Sequence, residues 1–450
     1  MKHSLKRALA ACLAAVLAIC ALPCAFAADK PIQVVLDGQT LAFEAGVEPV
    51  IKDGRTFVPF RAIFEAMGAE VGWDAATKTV SAQRGGVQVR FVVGQQTVTV
   101  TENGSGRTLR ADAAPFLSAA GKTLVPVRFA AQALGAAVGW DASTRTVLLV
   151  DVEKLRTGVT ETYAIMNRYL AFASPSGVQA VNGSVSLNLT LGGGNVKVPV
   201  QVSFDGLWSG GSGTLTVRFE AETTLLTAAL KADSTQVDSG LAELLTSLNG
   251  VRFDCILNQT EDALYLKSDA LTGENIPAGA WVRLPLDRTL GLLTGGRLNA
   301  AMLRAAAQHD FAAYALAQAQ GVSLTSSAAD NVAAVRDVLE AQAKRYGDSA
   351  FMQTDKALTA SSGSEADGTS ATLRLLTDGD AIVSAESSAQ LVQDTQVIYQ
   401  QAVTRDANGK TAVSVVIGAE SYQAELSGEF TLTPSDETPV LLPQGKVVPE

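Results

Sequence analysis

Only a few side chains of this 450-residue chain could make or break a bond, and none sits in a working group. A serine or cysteine nucleophile needs an imidazole base within hydrogen-bond reach. There are two histidines, His3 and His309. His3 falls in a leader discussed below, and His309 stands beside Asp310 in an alanine-rich stretch that reads as helix. Neighbours on a helix point to different sides, so the two form no dyad and His309 is expected to face solvent. Cys255 lies in the alternating run Val251, Phe253, Cys255, Leu257, and reads as a small buried apolar residue rather than a reactive thiol. Zinc would need three or four clustered ligands, and no such cluster is visible. The acidic turns Asp378-Gly379-Asp380 and Asp406 to Gly409 lack the alternating oxygen ligands and distal glutamate of a calcium loop. The glycine runs at 192–194 and 210–213 lack the helix and lysine of a phosphate loop.

Paired carboxylates could hydrolyse a glycoside without histidine, and Glu44, Glu48, Asp74 and Asp141 are the candidates. Asp74 and Asp141 follow Trp73 and Trp140, which would suit a sugar stacked on an indole. The alternative is structural. An Asp that opens a turn before Ala-x-Thr caps it with its own side chain, and a tryptophan in a half-buried strand packs a core. The structural reading is preferred. No catalytic, metal-ligating or cofactor-binding residue is assigned.

These candidates sit in a repeat. The segment GRTFVPFRAIFEAMGAEVGWDAATKTV, starting at Gly54, returns 67 residues later as GKTLVPVRFAAQALGAAVGWDASTRTV, starting at Gly121. The register has no gap, so Pro59, Arg61, Gly68, Trp73 and Asp74 correspond to Pro126, Arg128, Gly135, Trp140 and Asp141. A constant offset marks two copies of one folding unit. Each copy reads as strand, short helix, strand, turn, strand, with a proline at the strand end and a glycine where the helix stops. Hairpins are expected over Ile32 to Phe43 and Val87 to Val100. Each half is too small to bury its own apolar face, so the halves should form one module over 30–151, related by a pseudo-twofold. Arg61 and Arg128 open the helices, where the dipole disfavours a cation. Each guanidinium is expected to bond carbonyls or an Asp of either repeat and so lock the halves.

The tandem VPxR and GAxVxWD motifs resemble the copper amine oxidase N-terminal domain-like family, also called the stalk domain, over residues 30–151. In the oxidases this module is an accessory stalk, with copper and the quinone in a separate domain, and most bacterial members are exported surface proteins without that enzyme. The resemblance implies an extracellular structural or interaction role. Copper(II) also prefers a nitrogen-rich shell, which one mature histidine cannot supply.

Beyond the module, a helix is expected from about Arg156 to Ala173. Period-two alternation follows, as in Val185-Leu187-Leu189-Leu191 and Val196-Val198-Val200-Val202-Phe204. Strict alternation over successive runs indicates an antiparallel sheet with one buried face. Helices are expected over Arg297 to Gln318 and Asp330 to Tyr346, with a flexible loop over Ser361 to Gly368. More strands then lead to Tyr422, Ala424 and Leu426, and the tail 434–450 should be loose. The region 155–433 resembles the lipoprotein-carrier half-barrel superfamily, most closely in ALYLKSDALTGENIPAGAWVRLPLD from Ala263 to Asp287. Its members often keep an apolar cavity between sheet and helices. Helices filling that face completely would leave none, and the sequence favours this filled arrangement over a ligand pocket.

Lys2, Lys6 and Arg7, an apolar run and Ala25-Phe26-Ala27 read as a signal peptide cleaved after Ala27. Cleavage would remove Cys12, Cys20 and Cys24 and leave Cys255 without a disulfide partner. The net charge is −10, and loss of the leader makes the chain more acidic, which argues against nucleic acid as partner. No second segment is apolar enough to span a bilayer. The expected fold is therefore α+β, a duplicated module followed by a large antiparallel half-barrel-like sheet with packed helices. The expected role is that of an exported, non-enzymatic envelope protein, structural or protein-interacting, with a carrier or sensor of an apolar, lipid-like ligand in the half-barrel region as the alternative.

Overall fold

The structure is a computed structural model that describes residues 31–449 except 103–104, 112, 192–195, 223–245, 295, 365, 394–395 and 420–421. The expected leader and the glycine run at 192–194 lie outside the described residues. The fold is α+β.

In the first copy of the repeat, the strand Arg55–Pro59 runs directly into helix α1 (Phe60–Ala66). In the second, Thr123–Pro126 runs into α2 (Val127–Ala133). Proline suits this junction, because its fixed φ starts a helix and its missing N–H is not needed there. The two strands pair antiparallel with Phe57 opposite Pro126, Val58 opposite Val125 and Pro59 opposite Leu124. Since each position is offset by 67 from its equivalent, this register is its own mirror and places a pseudo-twofold at Val58 and Val125. Beyond each helix Gly68 and Gly135 take φ of 76° and 84°, the left-handed conformation that ends a helix cheaply only at glycine. Phe60, Ile63, Phe64 and Met67 of one copy and Val127, Ala130, Ala131 and Leu134 of the other share a single core. Bulky residues on α1 face small ones on α2, so neither half could close alone.

The rest of the first copy, Glu70–Asp74 and Thr79–Arg84, continues into a five-stranded sheet. Its counterparts Ala136–Asp141 and Thr146–Asp151 are joined instead by Gln33–Leu36, which runs parallel to Thr146–Asp151.

Fourteen strands among the described residues form the large sheet. One meander, from Phe351–Thr354 to Tyr422–Pro434, pairs along its last strand with Gln179–Leu191, the first strand of a second meander ending at Trp281–Pro285. Helices α3 (Val152–Arg156), α4 (Ala164–Ala173), α5 (Leu286–Thr294), α6 (Ala300–Ala307), α7 (Phe311–Gln320) and α8 (Ala328–Tyr346) accompany it. Asp348 holds the start of α4, accepting hydrogen bonds from Ala164 N (2.9 Å) and Ile165 N (2.8 Å). A further cluster joins Ala137, Val150 and Val152 to Ala319 on α7 and to Val335 and Leu339 on α8. Module and helices thus share apolar contact.

Four expectations need correction. The helix expected from Arg156 to Ala173 begins only at Ala164 as α4; the residues before it form the separate short helix α3, with 157–163 between them. The stretch Arg297 to Gln318 is likewise broken, because Asp310 caps α7 through Ala313 N (2.9 Å) and His309 turns the corner with φ 57°. The tail expected to be loose after Pro434 is docked. Val447–Pro449 pairs with Trp281, Val282 and Arg283, and Asn258 and Trp281 donate to the carbonyls of Leu441 and Gln444. Strands also extend through Ser364 and from Thr369, where a flexible loop was expected.

Candidate functional site

Asp74 and Asp141 occupy equivalent turns. Asp74 accepts from the Thr77 hydroxyl (2.8 Å) and the Ala76 amide (2.9 Å), and Asp141 from the hydroxyls of Ser143 and Thr144 (both 2.7 Å). The Thr77 hydroxyl, then the Ala76 and Thr77 amides, hold the Asp74 carboxyl below its usual range; the Ser143 and Thr144 hydroxyls do the same for Asp141. Glu48 accepts from Gly46 N and Glu44 pairs with Lys122. Each carboxylate is thus already engaged, Glu44 with a lysine of the other half and the other three within their own turns.

Trp73 and Trp140 do not pack the core as expected. They are 42% and 41% exposed. Trp73 lies opposite buried Val80, and Trp140 opposite buried Val147, but both tryptophans stand on edge strands. Among the described residues no further strand pairs with either edge.

Arg61 and Arg128 do not lock the halves either. Arg61 pairs with Glu65 of its own helix at 3.4 Å, with both side chains more than half exposed, and Arg128 is exposed. Exposed i,i+4 pairs contribute little. Arg61→Met and Arg128→Met are each expected to change unfolding free energy by less than about 0.5 kcal/mol, measured by urea denaturation. A loss several times larger would restore the locking role.

The lock is elsewhere. Arg84 grips Asp151 with two parallel bonds of 3.0 and 2.7 Å, and Asp151 is 3% exposed. These residues are themselves equivalents at the 67-residue offset, where the copies diverge into opposite charges. Asp151 also accepts from Lys154 N at the start of α3, while its own amide donates to Asp37. One carboxylate therefore ties together the first repeat, the second repeat and the exit to the larger part of the chain.

The large sheet presents the main candidate surface. Directly opposed residues in neighbouring strands share a face. Following the register, Leu358, Leu375, Ala385, Arg405, Thr411, Phe430, Gly183, Phe204, Val217 and Phe253 form one row. At one end Leu358, Leu375 and Ala385 are buried beneath Met166 of α4 and Phe311 of α7. We call this helix-bearing side the inner face. Past Thr411, Phe430, Phe204, Val217 and Phe253 are all partly exposed. A parallel row, Val403, Val413, Gly428, Val185, Val202 and Phe219, is partly exposed too. Gly183 lets the rings of Phe204 and Phe430 approach across it to 6.4 Å between centroids. Helices thus cover one part of the inner face, and apolar side chains reach solvent on the other.

On the opposite face an open groove of about 400 Å³ runs beneath the docked tail, between Asp205, Thr216, Asp254, Lys267 and Trp281 and the tail residues Val440 and Leu442. Its charges neutralise one another: Arg218 with Asp205 (2.6 Å), and Arg252 and Lys267 with Asp254 (2.8 and 3.3 Å).

His309 is partly buried, and its Nε2 lies 2.7 Å from the Ser174 carbonyl at the end of α4. It fixes a helix corner rather than facing solvent. Burial, with a smaller effect from Asp254, pushes the Cys255 thiol up to about 11, leaving roughly a hundredth of the thiolate of an ordinary cysteine. Iodoacetamide at pH 8 should alkylate Cys255 about 100-fold more slowly in the native protein than in urea. Equal rates would contradict this placement. Among the described residues no three His, Cys, Asp or Glu side chains are grouped to hold a metal ion, and no helix is long and apolar enough to cross a membrane.

Comparison with known proteins gives one sequence match. No curated protein matches the chain. Among solved structures, a putative outer membrane lipoprotein-sorting protein domain from Vibrio parahaemolyticus is similar at 8% identity and TM-score 0.24, over 64% of this chain and 95% of that one. A DUF1329 family protein from Desulfovibrio piger is similar at 8% identity and TM-score 0.20, over 59% and 88%. Lipovitellin is similar at 8% identity and TM-score 0.18, over 61% and 27%. The family profile described as the copper amine oxidase N-terminal domain matches twice, over residues 35–149 and 105–203. The first match spans both repeats, and the N-terminal module is thus similar to the copper amine oxidase N-terminal domain.

Proposed function

We propose that this is an exported cell-envelope protein without catalytic function, in which the duplicated module (30–151) supports the large sheet and the inner face of that sheet holds an apolar ligand. The observation that carries this reading is the row of partly exposed apolar side chains from Phe430 to Phe253, which Thr411 and Arg405 separate from the buried core at the row's other end. Apolar surface in water costs about 25 cal/mol per Å², and a contiguous apolar patch on a soluble protein marks a binding site. The expected cleavage after Ala27 belongs to the same proposal.

Titration with the dye N-phenyl-1-naphthylamine tests it. Saturable fluorescence enhancement is expected from the intact protein, and Phe204→Asp with Phe253→Asp should abolish it while the far-ultraviolet spectrum stays unchanged. No enhancement from the intact protein would sink the reading.

Trp73 and Trp140 favour a second, protein-interaction reading. Each exposed indole, at the edge strand of its own sheet, could anchor another envelope protein, since exposed tryptophan is typical of interface anchors. Trp73→Ala with Trp140→Ala should release the protein from the envelope fraction of its host. Unchanged retention would remove this reading.

A further inference from the structure

Arg405 stands in the inner row at the point where helix cover ends. It is 7% exposed, and no carboxylate among the described residues lies within ion-pair distance. Its Nε donates to the Phe172 carbonyl (3.2 Å), and its Nη1 donates to the Gly409 carbonyl (3.2 Å) and the Thr411 hydroxyl (3.0 Å). Phe172 also lies under the guanidinium, with its ring centroid 5.6 Å away. Nη2 has no hydrogen-bond partner among the described residues, yet is not one of the polar atoms sealed from solvent without one. Burying a cation without a counter-charge is costly. Burial correspondingly lowers the affinity of Arg405 for its proton, with Tyr169 and Asp406 acting the other way. Asp406, the next residue of the strand, lies beyond ion-pair distance, and its carboxylate accepts from the amides of Asn408 and Lys410.

Two further observations bear on what would offset this charge. Tyr169, on α4, packs against the neighbouring helix-covered cluster and is near enough to feel the Arg405 charge. The row then leads from Arg405 past Thr411 to Phe430 and, across Gly183, to Phe204. At about 4.8 Å per strand, Phe430 lies about 10 Å from Arg405 across the strands, and Phe204 about 19 Å. A cation that could accept an anion thus stands at the head of an apolar track as long as an acyl chain.

We infer that the inner face binds a long-chain carboxylate, with its head group on the Arg405 guanidinium and its chain along Phe430, Phe204 and Val217. This rests on the apolar-ligand reading above and adds the charge of the ligand to it. Guanidinium and carboxylate make strong, charge-assisted bonds, and these would distinguish an acid from an alcohol of equal length.

The test displaces the same dye with dodecanoate and with 1-dodecanol. The intact protein should bind dodecanoate at least about tenfold more tightly, the effect of a hydrogen bond to a charged group. Arg405→Met should reduce that preference to near one while leaving dodecanol affinity within about threefold. Tyr169→Phe, which preserves packing, should lower dodecanoate affinity a fewfold and guards against an Arg405 variant that fails to fold. Equal binding of acid and alcohol by the intact protein would overturn this inference alone and leave the apolar site standing. Binding of neither would overturn both.

Discussion

Asp151→Ala should destabilise the protein by about 3–5 kcal/mol, the usual cost of leaving one partner of a buried ion pair without the other. Asp151 is almost fully buried and receives both arms of Arg84, so its removal leaves a guanidinium, itself largely covered, facing a void. The same change removes the cap on Lys154 N, which adds about 1 kcal/mol. Replacing both partners by apolar residues, Arg84→Met with Asp151→Leu, should cost much less, because no charge is then stranded. Urea unfolding of the three variants decides the matter. An Asp151→Ala loss below about 1 kcal/mol would show that the two repeats are held by their apolar core alone.

Gly183→Val is expected to cost about 2–3 kcal/mol, as overpacking does in a close-packed site. A Cβ on Gly183 would stand 2.4 Å from the Phe430 Cβ and 2.6 Å from the Glu429 carbonyl oxygen. The backbone atom cannot move without breaking the pairing of Gln179–Leu191 with Tyr422–Pro434, the seam that joins the two meanders. Since the side chain would separate Phe204 from Phe430, the variant should also lose dye binding on the inner face. A variant that unfolds at the wild-type urea concentration would mean that the seam carries little of the stability.

Much of this architecture was legible in the sequence for definite physical reasons. A constant 67-residue offset fixed the module, because a repeated unit with an open apolar face must close on its twin. Pro59, Pro126, Gly68 and Gly135 marked the helix ends, since φ is restricted at proline and free at glycine. Period-two alternation identified the strands but not which strands would form an edge, and so Trp73 and Trp140 were expected inside. Alternation also hides how far helices extend over a sheet. Three residues stand out in the sequence by their charge. Arg405 falls in the same phase as Tyr399 and Val403, where a charge is out of place. Arg84 and Asp151 are equivalent positions of opposite sign across a pseudo-twofold. His309 was placed on a continuous helix because alanine-rich sequence conceals a break, although Asp310 is a good N-cap.

Native mass spectrometry of the protein purified from its own host, before and after extraction with organic solvent, most directly tests whether the inner face holds an apolar ligand. A stoichiometric adduct, removed by extraction and identified as an amphiphile, is the result this structure predicts. A single mass equal to the bare polypeptide, from a preparation whose inner face still binds no dye, would contradict it.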